Sequence, residues 1–162
     1  MTTPRYIAAV DLGGSLVRTA LADEGGDLLA RRAEPVDPKA PPEKVVRGIL
    51  ESIESLLAEV GGRVPPLALG VGVPGLVIQD EGTVIAPVNL PTWRPAVPLA
   101  ELVRRRWPVP VAVENDANMA ALGEGWRGAA RGMKTFVFVA LGTGVGGGVI
   151  VDGRLQRGAR GF

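Results

Sequence analysis

The stretch LGTGVGGGVIVDGRL (residues 141–155) decides between two kinds of fold, because it contains a G-x-G-x-x-G pattern. In a dinucleotide-binding fold this turn lies between a strand and a helix, and the helix N-terminus holds the pyrophosphate. The preceding segment KTFVFVAL (134–141) predicts the strand, but Val149–Val151 followed by Asp152-Gly153 predicts a second strand that ends in a tight turn. We therefore expect the glycines in the connection of a β-hairpin, which argues against a dinucleotide-binding domain.

Glycines in a hairpin connection have two interpretations. They either make the hairpin flexible, or they let the backbone approach a phosphate closely and turn N–H groups toward it. A second turn of the same design favours phosphate binding, since VDLGGSLVR (10–18) also runs from a strand through glycines and a hydroxyl side chain into a strand. Two such hairpins that face each other across a cleft can hold the phosphates of a nucleotide. Asp11, just before the first turn, either caps that turn or holds Mg²⁺ through water.

The apolar pattern predicts three strands, a helix, and then two further strand–helix pairs before the hairpin. The first three strands are expected to form an antiparallel meander, and the clearest helix has an apolar face and is bounded by two prolines and two glycines. The predicted strands cover residues 5–11, 15–23, 28–36, 66–73 and 109–115, and the predicted helices cover residues 41–62, 97–107 and 116–130.

Glu114-Asn115-Asp116 ends a buried strand and begins a helix. The helix dipole favours the ionised form of Asp116, although Asn115 or Asp116 can equally be an ordinary N-cap. The chain contains no His, so acid–base chemistry falls to Asp, Glu, Lys or Tyr. In phosphoryl transfer an aspartate suffices, because catalysis depends mainly on positioning and charge stabilisation.

Composition narrows the class of protein. The 162 residues are 46 % apolar with a net charge of +1, and no basic run extends beyond Arg104–Arg106, so nucleic acid is not expected as a partner. The absence of Cys excludes disulfides and Cys-ligated zinc in this chain. We find no secretory signal and no membrane-spanning stretch, and therefore expect a cytoplasmic protein.

Five segments resemble, in the same order, the motifs of the ROK family of bacterial sugar kinases and related repressors. They are DLGGSLVR (11–18), GVGVPGLV (70–77), GTVIAPVNLPTW (82–93), ENDANMAALGE (114–124) and VFVALGTGVGGGVIVDGRLQRGARG (137–161). The resemblance implies an α/β protein with the actin/hexokinase-like, ribonuclease H-like ATPase fold. Residues 1–117 would form the N-terminal lobe, a mixed sheet flanked by helices. Residues 118–162 would form the connecting helix and the first β-hairpin of an incomplete C-terminal lobe.

The resemblance also implies residue roles in an ATP-dependent, glucokinase-like hexose kinase. Asp116 matches the base that takes the proton from a sugar hydroxyl. For Asp11, the presence of both glycine turns favours the role in which it holds Mg²⁺ through water. The sugar-binding positions are Gly75, Asn89, Asn115 and Asp116. The positions that bind the nucleotide and its phosphates are Asp11, Gly13, Gly14, Ser15, Gly142, Thr143, Gly144, Gly146 and Gly147. Ser15 replaces the usual Thr of the family and keeps the hydroxyl group.

Length is the main departure from the family pattern, which continues past Phe162 with further sugar ligands and often a zinc-binding segment. We expect structural zinc only in that part, a homodimer at full length, and little kinase activity from the 162-residue chain alone. The family also contains sugar-responsive transcription regulators. Only ten residues precede Asp11, which is too few for a DNA-binding domain, so the kinase is expected over the regulator and over a non-catalytic sugar-binding fragment.

Overall fold

The structure is a computed structural model that describes residues 5–62, 64–85, 87, 89–142 and 144–158. In chain order the elements are β1 (Ile7–Leu12), β2 (Leu16–Ala22), β3 (Leu28–Pro35), α1 (Pro42–Glu59), β4 (Ala68–Val73), β5 (Leu76–Ile78), β6 (Thr83–Ile85), β7 (Ala96–Val97), α2 (Leu99–Arg104), β8 (Val111–Asn115), α3 (Asp116–Arg127), β9 (Phe136–Leu141), β10 (Val145–Val151) and β11 (Arg154–Leu155).

A mixed five-stranded sheet in the order β3-β2-β1-β4-β8 forms the centre of the protein. The predicted meander is present, because β1, β2 and β3 are antiparallel neighbours, whereas β4 and β8 run parallel to β1. The first glycine turn is closed by a 2.9 Å hydrogen bond from the Gly13 N–H to the Leu16 carbonyl. Because β1, β4 and β8 are parallel, their carboxyl ends meet at one edge of the sheet.

Helix α1 covers one face of this sheet with the apolar face that its sequence predicts. Ile49, Ile53 and Leu56 are almost completely buried in the main core, and α1 packs against β2 and β3. Inside this interface the hydroxyl groups of Thr19 and Ser52 form a 2.8 Å hydrogen bond, so both buried polar groups are paired. The short helix α2 lies between α1 and β8 and completes the core.

The predicted hairpin is present as the antiparallel strands β9 and β10, with β11 paired to β10. The prediction that Gly146 and Gly147 lie in the connection was wrong, because β10 begins at Val145 and includes both. Helix α3 packs so closely on β10 that a Cβ added at Gly148 would lie 2.6 Å from the Cβ of Ala121. Gly146 and Gly148 therefore allow the close packing of a helix on a sheet, which a local turn pattern does not reveal.

The predicted helices also differ at their ends. The first runs over Pro42–Glu59 and the last over Asp116–Arg127, each a few residues shorter than expected. The middle helix was predicted for 97–107 but spans only Leu99–Arg104. Val97 instead pairs with Val84 in the small sheet β5-β6-β7, and that tertiary contact removes it from the helix.

Candidate functional site

The site is built on the edge where the parallel strands end. Asp11 on β1, Gly72 on β4 and Glu114 on β8 are register partners, so the three positions share one face of the sheet. Helix α3 crosses this face, and a Cβ added at Gly72 would lie 3.7 Å from the Cα of Asp116. The start of α3 therefore lies over the middle strand, between the two acidic positions.

Asn115 and Asp116 form the start of α3. The side-chain oxygen of Asn115 accepts hydrogen bonds from the N–H groups of Ala117 and Asn118 at 3.0 and 3.2 Å, so Asn115 is the N-cap of the helix. Its Nδ2 donates to the carbonyl of Gly75 at 3.1 Å, a bond that uses one of its two hydrogens. Asp116 is exposed, and its Oδ1 accepts from the N–H of Ala117 at 2.8 Å.

A cleft of about 520 Å³ brings most of the predicted site residues together. This volume is in the range of small-molecule sites. One wall carries the four residues predicted to bind sugar, and the opposite wall is the glycine hairpin with Phe138. The predicted residues that line the cleft are Gly75, Asn89, Asn115, Asp116, Gly142, Gly144 and Gly146.

The glycines of the hairpin differ in what they contact. Among the described residues, a Cβ added at Gly142 or Gly144 would meet nothing within 4 Å. Packing among the described residues therefore does not require glycine at these two positions, which leaves their backbone open to a ligand. Gly147 does not line the cleft, since it alternates with Gly146 and Gly148 along β10. Thr143, also predicted to contact phosphate, lies outside the described residues.

The first glycine turn touches the cleft through Asn89. Gly13, Gly14 and Ser15 do not line the cleft, but a Cβ added at Gly14 would lie 2.5 Å from the Cβ of Asn89. Ser15 is exposed, and its carbonyl accepts a 2.9 Å hydrogen bond from the N–H of Val36. The turn therefore supports a wall of the cleft directly.

Asp11 has a partner that the sequence analysis did not identify. Its Oδ2 lies 2.8 Å from Nη1 of Arg18, its register partner on β2, and both side chains are more than half exposed. These two residues line a separate cavity over β1–β3, which does not include Asp116. Within the described residues no group of three or more acidic, His or Cys side chains is placed to hold a metal ion. A single carboxylate fits Mg²⁺ only when the nucleotide phosphates and water supply the other ligands.

Glu114 is the other residue that sequence reasoning missed. It is 5 % exposed, and its Oε2 accepts from Nε and Nη2 of Arg157 at 3.0 and 2.6 Å. Burial raises the pKa of Glu114, but hydrogen bonds from Asn118, Arg157 and the Asn115 N–H, with the Arg157 charge, bring it below the ordinary 4.5. The sequence did contain an indication of this role, because Glu114 is a charged residue in the otherwise apolar segment VAVE of β8.

Comparison with known proteins identifies the class to which this arrangement belongs. Residues 7–162 match the ROK family, and the chain belongs to that family. It is 32 % identical to a glucokinase of Halalkalibacterium halodurans over 159 residues, which are 98 % of this chain and 48 % of the glucokinase. It is also 32 % identical to the xylose repressor of Caldicellulosiruptor bescii over 158 residues, covering 96 % of this chain and 39 % of the repressor.

The fold has solved counterparts. The structure of a ROK family glucokinase from Streptomyces griseus in complex with glucose and AMPPNP matches with a TM-score of 0.78 and 36 % identity, over 96 % of this chain and 47 % of that one. The predicted actin/hexokinase-like fold is therefore confirmed. The chain spans about half the length of the curated relatives that it matches. Among the described residues, no helix is both long enough and apolar enough to cross a membrane.

Proposed function

We propose that this chain belongs to an ATP-dependent hexose kinase of the glucokinase type, of which it carries the N-terminal lobe and the first hairpin of the C-terminal lobe. The observation that supports this most strongly is the shared cleft. An exposed carboxylate at a helix N-terminus, Asp116, lines it together with Asn89 and Asn115 and faces an open glycine hairpin. We place the boundary between the lobes at residues 117–118.

Asp116 is the proposed general base. The sugar hydroxyl oxygen forms a bond to the γ-phosphorus of ATP, the bond from that phosphorus to the bridging oxygen of ADP breaks, and the hydroxyl proton passes to the Asp116 carboxylate. The N–H of Ala117 already orients this carboxylate through its Oδ1. The transition state of phosphoryl transfer is loose, so a carboxylate of ordinary basicity that orients the hydroxyl and takes the proton late is sufficient.

Sugar and nucleotide have separate positions in this proposal. Asn89, Asn115 and the Gly75 segment bind the sugar, since the second hydrogen of Asn115 Nδ2 and the amide of Asn89 are suited to hydroxyl groups. The glycine hairpin and the turn at Gly13–Ser15 approach the phosphates. Asp11 would hold Mg²⁺ through water, and the ion would neutralise charge on the phosphates; Arg18, which pairs with Asp11, would compete with it.

The test is sugar-dependent ADP formation by the longest product of the gene, measured over a panel of hexoses with ATP. Asp116→Asn should lower kcat at least about a hundredfold while sugar still binds, because general-base catalysis contributes about 10²–10⁴. The matched control is Asp80→Asn, an exposed aspartate in the turn after β5, which should retain normal turnover. ADP formation by Asp116→Asn at more than a few per cent of the wild-type rate would exclude Asp116 as the base.

A sugar-responsive transcription regulator is the second candidate, because the Caldicellulosiruptor bescii xylose repressor matches the chain with the same identity as a glucokinase. In that case the cleft would bind sugar without transferring phosphate. A gel-shift assay on the longest gene product distinguishes the two: retention of specific DNA that sugar releases, without ADP formation, would establish the regulator. We further propose that the full-length kinase is a cytoplasmic homodimer and that any structural zinc lies outside this chain.

A further inference from the structure

Glu114 and Arg157 form a junction between the two walls of the cleft. Glu114 lies on β8 directly before the N-cap residue Asn115, whereas Arg157 follows β11 of the hairpin sheet, 43 positions later in the chain. The Glu114 side chain is 6 % exposed and the Arg157 side chain 39 % exposed, so the pair is closed on the Glu114 side and reaches solvent on the other.

Glu114 uses both of its oxygens. Oε2 accepts the two bonds from Arg157, and Oε1 accepts from the Asn115 N–H, from Asn118 Nδ2 and from Gln79 Nε2 at 2.9, 3.1 and 3.3 Å. Five donors converge on one buried carboxylate, which is the condition under which a buried charge is tolerated. Two of these donors belong to Asn115 and Asn118, at the N-cap and in the first turn of α3.

The geometry therefore connects the hairpin sheet to the residues that carry the proposed chemistry. Arg157 binds one carboxylate oxygen of Glu114, and the other oxygen accepts hydrogen bonds from Asn115 and Asn118 at the start of α3. Asp116 lies between these two asparagines in the sequence. Gly146 and Gly148 of the hairpin pack against Ala117 and Ala121 of the same helix. The first turn of α3 is thus held by packing against β10 and by the hydrogen bonds that Asn115 and Asn118 donate to Glu114.

We propose that Glu114 and Arg157 are positioning residues, which fix the first turn of α3 and thereby orient the Asp116 carboxylate toward the opposite wall of the cleft. The inference rests on the proposed kinase function for its effect on turnover. It requires no contact of either residue with sugar or nucleotide. A small displacement of a reacting group lowers the reaction rate strongly, so loss of the pair should lower kcat more than it changes sugar binding.

The first measurement is steady-state kinetics on the longest gene product with Arg157→Met, Arg157→Lys, Glu114→Gln and the double variant Glu114→Gln/Arg157→Met. Arg157→Met should lower kcat about tenfold or more, with the KM for sugar changed less than about threefold. Arg157→Lys keeps the charge but not the forked donor, and should fall between wild type and Arg157→Met. The double variant should be no worse than the poorer single variant, since both remove one interaction.

The second measurement does not depend on kinase activity. Amide hydrogen exchange of Ala117 and Asn118, whose N–H groups bond to Asn115, reports the order of the first turn. Arg157→Met should speed their exchange about tenfold relative to amides in α1, which report global stability. Arg154→Met, at an exposed arginine of β11, is the matched control and should change neither quantity.

The outcomes separate this inference from the function on which it rests. A wild-type protein without sugar-dependent ADP formation contradicts the kinase, and the exchange data then decide whether the pair orders α3. Unchanged exchange at Ala117 and Asn118 overturns the inference whatever the activity. A changed exchange with unchanged kcat in an active enzyme overturns it as well, because the pair would then stabilise the helix without orienting Asp116.

Discussion

A Cβ added at Gly14 would lie 2.5 Å from the Cβ of Asn89, so the first glycine turn and the loop after β6 are in direct van der Waals contact. The turn was predicted to approach phosphate and Asn89 to bind sugar. Because the two segments are in contact, the proposed phosphate-binding turn and the proposed sugar-binding residue depend on the same packing. A substitution in the turn should therefore displace Asn89, which lines the cleft.

Gly14→Ala should destabilise the protein by about 1–3 kcal/mol and raise the KM for sugar, because the new methyl group must displace Asn89. Thermal unfolding and sugar kinetics measure the two effects. Gly48→Ala is the control of opposite sign: Gly48 is an exposed glycine within α1, and a Cβ there meets none of the described residues within 4 Å. It should stabilise the protein by about 0.5–1 kcal/mol through helix propensity. Unchanged sugar affinity in Gly14→Ala would show that Asn89 does not bind sugar.

Two glycines of the hairpin should respond differently to the same substitution. Gly148→Ala places a methyl group 2.6 Å from the Cβ of Ala121 and should cost about 1–3 kcal/mol, measured by denaturant unfolding. A Cβ at Gly142 meets none of the described residues within 4 Å, so Gly142→Ala should change stability by less than about 0.5 kcal/mol. If the hairpin holds the nucleotide, Gly142→Ala should still raise the KM for ATP, since its methyl group would project where the phosphates approach. An unaffected ATP dependence would remove Gly142 from the nucleotide site.

The buried carboxylate of Glu114 predicts a specific loss of stability in acid. Its pKa in the folded protein lies below the ordinary 4.5, so its contribution is fully present above about pH 4.5 and is lost as the pH falls through the lower folded pKa. Glu114→Gln does not titrate and should cost about 1–3 kcal/mol near neutral pH. The difference in melting temperature between wild type and Glu114→Gln should narrow as the pH falls below 4.5. A difference that stays constant down to the acid transition would contradict the pairing.

Asp11→Asn should hardly alter stability, because an exposed ion pair such as Asp11–Arg18 contributes about 0–1 kcal/mol. It should nevertheless raise the Mg²⁺ concentration needed for half-maximal ADP formation, since a carboxamide holds hydrated Mg²⁺ more weakly than a carboxylate does. Titration of activity with Mg²⁺ at fixed ATP measures this. Asp37→Asn, at an exposed aspartate before α1, is the control. Equal Mg²⁺ dependence in both variants would place the metal away from Asp11.

Much of the fold could be predicted because it depends on local patterns. The meander β1–β3, the helix α1 and the order of the remaining elements follow from apolar periodicity and from glycine and proline at the boundaries. The positions that failed depend on contacts distant in the chain. Val97 leaves the predicted helix to pair with Val84. Gly146 pairs with Ala140 in the hairpin, and a Cβ added there would lie 3.2 Å from the Cβ of Ala117 in α3.

The candidate site divides in the same way. Motif resemblance located Asn89, Asn115 and Asp116, and the structure brings them to one cleft with the glycine hairpin. The resemblance did not identify the two ion pairs, in which Arg18 binds Asp11 and Arg157 binds Glu114. The first of these pairs joins register partners of neighbouring strands, so it follows only once the register is known. The second joins residues whose proximity no periodicity encodes.

The amino-acid sequence by itself determined the order of the main strands and helices, the two glycine turns and the position of Asp116 between a strand and a helix, since turn chemistry and hydrophobic periodicity act over a few residues. Only the tertiary structure decided which glycines accommodate a helix and which leave space in the cleft. It also decided that Glu114 is neutralised by Arg157 across 43 positions. A buried charge requires partners from whichever segments the packing brings near, and that packing is a property of the whole chain.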